Sequence, residues 1–150
     1  MSAAIEILLV EDNPNDLELT LHALEKNNLA NRIHAARDGE EALDFMFCRG
    51  VYGNRSFESP PKVVLLDLKL PKVDGLEVLR AIKGETRTKA VPVVVMTSSS
   101  QQRDLVESYQ LGVNSYIQKP INFNEFREVL QRLGYYWLVI NKPPPSGTHQ

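Results

Sequence analysis

The sequence predicts a doubly wound α/β fold, in which helices cover both faces of a central five-stranded parallel sheet. Short apolar runs at residues 5–10, 63–66 and 91–96 alternate with segments that have the apolar spacing of helices. These runs lack the period-two alternation of a half-exposed strand, which is typical of strands buried on both faces. The 150 residues suffice for one domain, and a domain of this size buries roughly 70% of its unfolded surface.

The first two strand–helix units lie near the N-terminus. Residues 5–10 predict the first strand, and Asn13-Pro14 then supplies an N-cap and a first helical residue before leucines at helical spacing. Residues 31–35 are a weaker strand candidate. Asp38-Gly39, a turn and N-cap pair, begins the second helix.

Three further units follow in the same alternation. Strands predicted at residues 63–66 and 91–96 are followed by helices predicted at residues 75–83 and 101–111. A short strand at residues 115–117 leads into a last helix that begins at Asn122. Glu125 lies three residues after Asn122, as in a capping box.

Two segments have no clear periodicity. Residues 50–61 form a connection that is long for an α/β unit. We expect residues 1–141 to form one domain, with the last helix extending to about residue 141. Residues 142–150 are expected to be a flexible tail, because the three consecutive prolines at 143–145 cannot continue a helix.

Charge and cysteine content argue against several classes of function. The chain has 17 Lys and Arg against 19 Asp and Glu, interspersed along its length, whereas nucleic-acid binders usually have a basic excess or stripe. No run approaches the roughly 18 apolar residues of a membrane span. Cys48 has no partner for an internal disulfide, and the N-terminus lacks a basic signal-peptide region. We therefore expect a cytoplasmic protein that binds neither nucleic acid nor membrane.

Polar side chains follow four of the predicted strands, namely Glu11 and Asp12, then Asp67, Thr97 and Lys119. Because the carboxyl ends of parallel strands meet at one edge, we expect these residues in a single cleft. Three carboxylates repel one another unless a cation neutralises them, and Mg²⁺ prefers oxygen ligands. With a lysine and a hydroxyl nearby, such a cleft suits phosphoryl transfer with an aspartate as nucleophile.

Four segments at these strand ends resemble the receiver domains of bacterial two-component response regulators. They are LLVEDN at 8–13, VVLLDLKLPKVDG at 63–75, VPVVVMTSSS at 91–100 and SYIQKP at 115–120. The resemblance covers about residues 5–133. It implies a flavodoxin-like sheet with strand order 2-1-3-4-5, and no enzyme activity beyond the protein's own phosphorylation and dephosphorylation.

The resemblance also implies roles for the site residues. Asp67 is expected to accept the phosphoryl group and to bind Mg²⁺, which Mn²⁺ can replace, together with Asp12 and the backbone carbonyl of Lys69. Glu11 is expected to act mainly through water on the metal.

The remaining family positions concern the response to phosphorylation. Thr97 and Lys119 match the phosphate contacts, and Tyr116 matches an aromatic side chain that turns inward when Thr97 moves. Lys119-Pro120 resembles the family's cis peptide.

Two features resemble the stand-alone receivers that serve phytochrome-type histidine kinases: the connection at residues 50–61 and the segment Gly134-Tyr135-Tyr136-Trp137. An apolar stripe also recurs at helical spacing along the last helix and would extend past the sheet. We expect this stripe to form a homodimer interface, because an exposed apolar surface of this kind is usually covered. The stripe comprises Phe126, Leu130, Leu133, Trp137 and Ile140.

The leading hypothesis is a phosphorylation-dependent switch, in which a histidine kinase phosphorylates Asp67 and a protein-binding surface changes. An aspartyl-phosphate phosphatase is one alternative, but such enzymes carry a second aspartate where this chain has Lys69. A flavodoxin-like cofactor binder would need a phosphate-cradling loop where Glu11-Asp12 would repel phosphate. The last alternative, a pseudo-receiver that binds proteins without phosphorylation, conflicts with the complete set of site residues.

Overall fold

The computed structural model describes residues 7–26, 32–97, 110–118 and 123–132. Most of the helix predicted at 101–111 lies outside these ranges, as do the predicted cis peptide and the proline-rich tail. The last three residues of the predicted stripe, Leu133, Trp137 and Ile140, also lie outside them. Among the described residues, no helix is long and apolar enough to cross a membrane.

Five parallel strands form the central sheet. They are β1 (Ile7–Val10), β2 (Ile33–Ala36), β3 (Val63–Asp67), β4 (Val93–Thr97) and β5 (Ser115–Gln118). Their order is β2-β1-β3-β4-β5, and every neighbouring pair is parallel. The predicted α/β class and strand order are therefore confirmed.

Several strand boundaries differ from the sequence prediction by one or two residues. β4 begins at Val93 rather than at residue 91, because Pro92 has no N–H to donate to the sheet. The Pro92 carbonyl still accepts a hydrogen bond from the Val64 N–H at 2.9 Å. β2 ends one residue later than predicted, at Ala36, because its pairing with β1 continues to the partner Val10.

Helices cover both faces of this sheet. They are α1 (Pro14–Lys26), α2 (Gly39–Met46), α3 (Gly75–Gly84) and α4 (Phe123–Arg132). α1 and α4 share one apolar cluster with Ile7 and Leu9 of β1, whereas α2 and α3 share another with Leu8 and Val10. Because successive residues of a strand point to opposite faces, the two clusters lie on opposite sides of the sheet.

Capping residues predicted from the sequence begin the first two helices. Asn13 Oδ1 accepts a hydrogen bond from the Asp16 N–H at 3.0 Å, and Asp38 Oδ1 accepts one from the Glu41 N–H at 2.7 Å. Asp74 is the N-cap of α3 but forms no side-chain cap hydrogen bond. The polar loop residues before α1 and α2 therefore satisfy backbone donors at the helix starts.

The connection at residues 50–61 contains a turn of 3₁₀ helix at Gly50–Tyr52. The Arg55 side chain attaches the connection to α2, with its guanidinium carbon 3.6 Å from the centroid of the Phe45 ring. The same guanidinium donates to the Phe45 carbonyl and, at 3.1 Å, to the Ser59 carbonyl. A long connection without periodicity is thus held to the domain by individual side-chain contacts.

Candidate functional site

Three carboxylates meet at the carboxyl edge of the sheet. Glu11 and Asp12 directly follow β1, and Asp67 is the last residue of β3. Val10 and Leu66 are register partners, so Glu11 and Asp67 each lie one residue beyond the same pair. One oxygen from each of the three carboxylates lies within 4.8 Å of the other two. The strand ends therefore place these side chains in a single acidic cluster.

Two members of the acidic cluster are withdrawn from solvent. Glu11 is 1% exposed and Asp67 is 5% exposed, whereas Asp12 is exposed. The Asn13 N–H donates to Glu11 Oε2 at 3.1 Å, and the Lys69 N–H donates to Asp67 Oδ1 at 3.3 Å. Each buried carboxylate thus accepts a backbone hydrogen bond from the loop that follows it, which orients the carboxylate group.

The donor set of the acidic cluster fits a hard divalent cation. Mg²⁺ binds oxygen ligands at about 2.0–2.1 Å, so opposite ligands of one ion lie about 4.2 Å apart. The carboxylate oxygens lie close to that span, and a small side-chain movement would let them share an ion. Burial of Glu11 and Asp67 also makes their like charges costly without a counter-cation.

The loop after Asp67 closes onto the start of α3. The Gly75 N–H donates to the Leu68 carbonyl at 2.9 Å. A Cβ atom at residue 75 would lie 2.4 Å from the Asp67 carbonyl oxygen and 2.5 Å from Leu68 Cα. Only glycine permits this approach, so Gly75 lets the loop after Asp67 close onto α3.

The other predicted site residues are placed only in part. Thr97 ends β4 and pairs with Gln118, the residue before Lys119. Tyr116 lies in β5 opposite Val95. Side-chain positions of Thr97 and Tyr116, and the whole of Lys119 and Pro120, lie outside the described part of the structure. Their roles remain predictions.

A second polar network joins β2, α2 and the connection at residues 50–61. Tyr52 Oη donates to Glu41 Oε2 at 2.6 Å and lies 2.9 Å from His34 Nε2. His34 also stacks on Phe45, with the ring centroids 4.4 Å apart. The sequence did not predict this network, because its members are distant along the chain and share no motif or periodicity.

Protonation in this network follows from burial and from the neighbouring charges. Burial lowers the pKa of His34; Glu41 opposes this shift and Arg55 adds to it. Burial and the hydrogen bond to Glu41 raise the pKa of Tyr52 to about 12. Near neutral pH the imidazole is therefore uncharged, and the Tyr52 hydroxyl keeps the proton that it donates to Glu41.

Residues 7–131 match the model of the response regulator receiver domain. The chain belongs to this family. The match includes the acidic cluster and all five strands of the sheet, so the site and the family assignment concern the same part of the receiver.

Two relatives resemble the receiver over most of their length. The probable methanogenesis regulatory protein FilR2 of Methanothrix harundinacea is 44% identical over 138 residues, which cover 92% of this chain and 86% of FilR2. Response regulator Rcp1 of Synechocystis sp. is 40% identical over 133 residues, which cover 88% of each chain.

Solved structures agree with the fold and indicate chemistry in relatives. The bacteriophytochrome response regulator AtBRR is 55% identical with a TM-score of 0.82, over 94% of this chain and 100% of AtBRR. Mn²⁺-bound Rcp1 is 37% identical with a TM-score of 0.74, over 95% and 99% of the two chains. The phosphorylated cyanobacterial phytochrome response regulator RcpA is 38% identical with a TM-score of 0.75, over the same shares.

Proposed function

We propose that this receiver is a Mg²⁺-dependent phosphorylation switch that takes a phosphoryl group from a histidine kinase onto Asp67. The observation that carries the proposal is the position of Asp67, which is buried at the end of β3 with carboxylate oxygens of Glu11 and Asp12 within 4.8 Å. Membership of the receiver family supports the proposal, as do the Mn²⁺-bound and phosphorylated relatives.

The chemistry requires an oriented carboxylate and a compensated charge. An Asp67 oxygen attacks phosphorus while the phosphorus–nitrogen bond of phosphohistidine breaks, so an acyl phosphate forms and the leaving imidazole takes a proton from solvent. The Lys69 N–H holds Asp67 Oδ1 during this step. Asp12, Asp67 and the Lys69 carbonyl would hold Mg²⁺, with Glu11 beside them. Bound Mg²⁺ supplies positive charge to the phosphoryl oxygens.

Residues at the ends of the neighbouring strands β4 and β5 would respond to phosphorylation of Asp67. Thr97 and Lys119 are proposed to contact the phosphoryl oxygens, and Tyr116 to change position with Thr97. The register supports this grouping, because Thr97 pairs with the residue before Lys119, and Tyr116 pairs with Val95, two residues before Thr97. The resulting change would alter a protein-binding surface, so the receiver acts on partners and catalyses only its own phosphorylation and dephosphorylation.

The kinase partner is proposed to be of the phytochrome type. Similarity to AtBRR, whose name identifies it as a bacteriophytochrome response regulator, supports this assignment, as does the connection at residues 50–61. A homodimer through α4 and the residues that follow it is part of the same proposal. Phe126 is fully buried against the sheet, so the interface would rest on Leu130, Leu133 and Trp137.

Phosphorylation of the purified chain tests the proposal. The protein is incubated with acetyl phosphate, or with a phosphorylated phytochrome-type kinase, with Mg²⁺ or with excess chelator. Intact-mass spectrometry should show one added phosphoryl group only when Mg²⁺ is present, and hydroxylamine should remove it. Asp67→Asn should stay unmodified. Asp74→Asn, which neutralises an exposed carboxylate seven residues away, should react like the wild type.

Other outcomes would assign a different function. Modification of Asp67→Asn to the wild-type extent would show that another residue accepts the phosphoryl group. Partner binding that is independent of both Mg²⁺ and phosphorylation would favour the pseudo-receiver. Phosphoryl transfer from an unrelated kinase but not from a phytochrome-type kinase would support the phosphorylation switch and would show that the proposed kinase partner is wrong.

A further inference from the structure

The loop at residues 68–74, between β3 and α3, lies against the first turn of α2. The Gly39 N–H donates to the Pro71 carbonyl at 3.3 Å. A Cβ atom at residue 39 would lie 1.9 Å from the Val73 carbonyl oxygen. The backbone of α2 and the backbone of the loop are therefore in direct contact at Gly39, where a larger residue would separate them.

An ion pair lies beside this backbone contact. Lys72 has a φ of +69°, a left-handed conformation that non-glycine residues seldom adopt. Its ammonium nitrogen lies 3.6 Å from Asp38 Oδ2 and 3.6 Å from Glu40 Oε1. Asp38 has two roles, because its other oxygen, Oδ1, caps α2 by accepting the Glu41 N–H. The conformation of Lys72 thus directs its side chain toward the N-terminus of α2.

Contact with α2 matters because much of the loop is exposed. Lys69, Pro71 and Lys72 are exposed. Leu68, Leu70 and Val73 pack against the core, so the contact with α2 adds to core packing in fixing the loop. Yet Lys69 donates its N–H to Asp67, and its carbonyl is a proposed Mg²⁺ ligand. A loop that moved away from α2 would carry the Lys69 backbone away from the acidic cluster.

We propose that Gly39 and the Lys72–Asp38 ion pair are positioning residues that dock residues 68–74 onto α2 and so hold the Lys69 backbone in place for Mg²⁺ binding. The inference rests on the proposed Mg²⁺-dependent function. Neither Gly39 nor the ion pair touches the reacting atoms, and both act through the loop that carries Lys69.

Three variants separate the contribution of the Gly39 backbone contact from that of the Lys72 ion pair. Gly39→Ala forces the Val73 carbonyl to retreat by about 1 Å while improving the intrinsic helix propensity of α2. Lys72→Gln removes both ion pairs. Asp38→Asn removes one negative charge but keeps an oxygen that can cap α2.

One matched control lies elsewhere on the surface, and a second conserves the charge at residue 72. Arg80→Gln breaks an exposed ion pair with Glu77 that has the same nitrogen–oxygen distance, 3.6 Å, within α3. Lys72→Arg keeps the cation and should restore the behaviour of the wild type.

The experiment measures the Mg²⁺ dissociation constant by titration calorimetry and, separately, the rate of phosphorylation by acetyl phosphate at saturating Mg²⁺. Lys72→Gln should raise the dissociation constant about threefold, which corresponds to roughly 0.6 kcal/mol, within the range of an exposed ion pair. Asp38→Asn should raise it in the same direction. Gly39→Ala should raise it at least about tenfold, because a displacement of about 1 Å near a reacting centre is costly. Lys72→Arg and Arg80→Gln should stay within about twofold of the wild type.

The Mg²⁺ dissociation constants decide the inference even if phosphorylation fails. If the wild type binds Mg²⁺ but is not phosphorylated, the proposed function is wrong. The Mg²⁺ affinities of the variants then still test the positioning role. Unchanged Mg²⁺ affinity in folded Gly39→Ala and Lys72→Gln would overturn the positioning role, as would absence of Mg²⁺ binding in the wild type. If Gly39→Ala does not fold, the Mg²⁺ dissociation constants of Lys72→Gln and Lys72→Arg still test the positioning role. A residue with a merely structural role would change stability and not Mg²⁺ affinity.

Discussion

The acidic cluster should destabilise the metal-free protein, and Asp67→Asn should reveal this cost. The substitution removes one of three mutually repelling negative charges and therefore two of the three repulsive pairs. Asparagine has nearly the same size and keeps an oxygen that can accept the Lys69 N–H. The change in stability therefore reports the balance of charge at Asp67, in which we expect repulsion by two carboxylates to outweigh attraction by Lys119, predicted to lie in the same cleft.

The separation of the carboxylates sets the size of the effect. At 4.8 Å, the upper limit of the oxygen–oxygen separations, one pair of unit charges costs about 0.9 kcal/mol in water and about 3.5 kcal/mol at an effective dielectric constant of 20. The pair with exposed Asp12 lies near the first limit, and the pair with buried Glu11 lies nearer the second. After screening by salt, we expect the variant to gain about 1–3 kcal/mol in unfolding free energy, or roughly 3–10 °C in melting temperature.

Thermal unfolding with chelator and with Mg²⁺ measures the effect. Without metal, Asp67→Asn should melt above the wild type, whereas Asp74→Asn, an exposed charge outside the acidic cluster, should melt within about 1 °C of it. Mg²⁺ should stabilise the wild type by mass action, and the variant less, because the variant has lost a ligand. A lower melting temperature for metal-free Asp67→Asn would refute the repulsion argument. Equal stabilisation of both proteins by Mg²⁺ would place the metal elsewhere.

Three further predictions concern the second polar network and the proposed dimer. Tyr52→Phe keeps the ring but loses the bond to Glu41, so urea unfolding should show a loss of about 1–2 kcal/mol; a loss below about 0.5 kcal/mol would mean that water replaces the bond. The pKa of folded His34 lies below its ordinary value of 6.5, so its contribution to stability is present above pH 6.5 and is lost as pH falls through the lowered pKa. His34→Gln should make the unfolding free energy fall less steeply as pH is lowered below 6.5. His22→Gln, at an exposed position, should leave this slope unchanged. Equal slopes for the two variants would contradict the role of His34. Trp137→Ala should shift the mass from light scattering toward the monomer, and an unaltered dimer would exclude the apolar stripe as the interface.

The acidic cluster could be predicted because its causes are local in the sequence. An apolar run marks a buried strand, the first polar residue after it marks the strand end, and parallel pairing aligns such ends at one edge. Glu11 and Asp67 agree with this reasoning, because each directly follows one member of the register pair Val10 and Leu66. The predicted start of β4 at residue 91 was wrong, although Pro92, which cannot donate to a sheet, indicated a later start.

Contacts between segments could not be predicted in this way. The bond from Tyr52 to Glu41 and the approach of Lys72 to Asp38 join residues with no shared periodicity. Their energies depend on distances that only the packed structure defines. The sequence therefore indicated a long connection at residues 50–61 without indicating what holds it.

The ligands of the proposed Mg²⁺ site differ in what holds them, and this difference explains where glycine is required. Glu11 and Asp67 are held by paired strands, so the hydrogen bonds of the sheet keep them in register. Lys69 lies on a loop, and its backbone has no strand partner within the described residues. Gly75 lets the loop close at its base, and Gly39 lets it approach α2. A side chain at Gly75 would press on the Asp67 backbone itself, whereas a side chain at Gly39 would leave the carboxylates in place and move the carbonyl ligand. Substitution of Gly39 should therefore affect Mg²⁺ affinity more than it affects the fold.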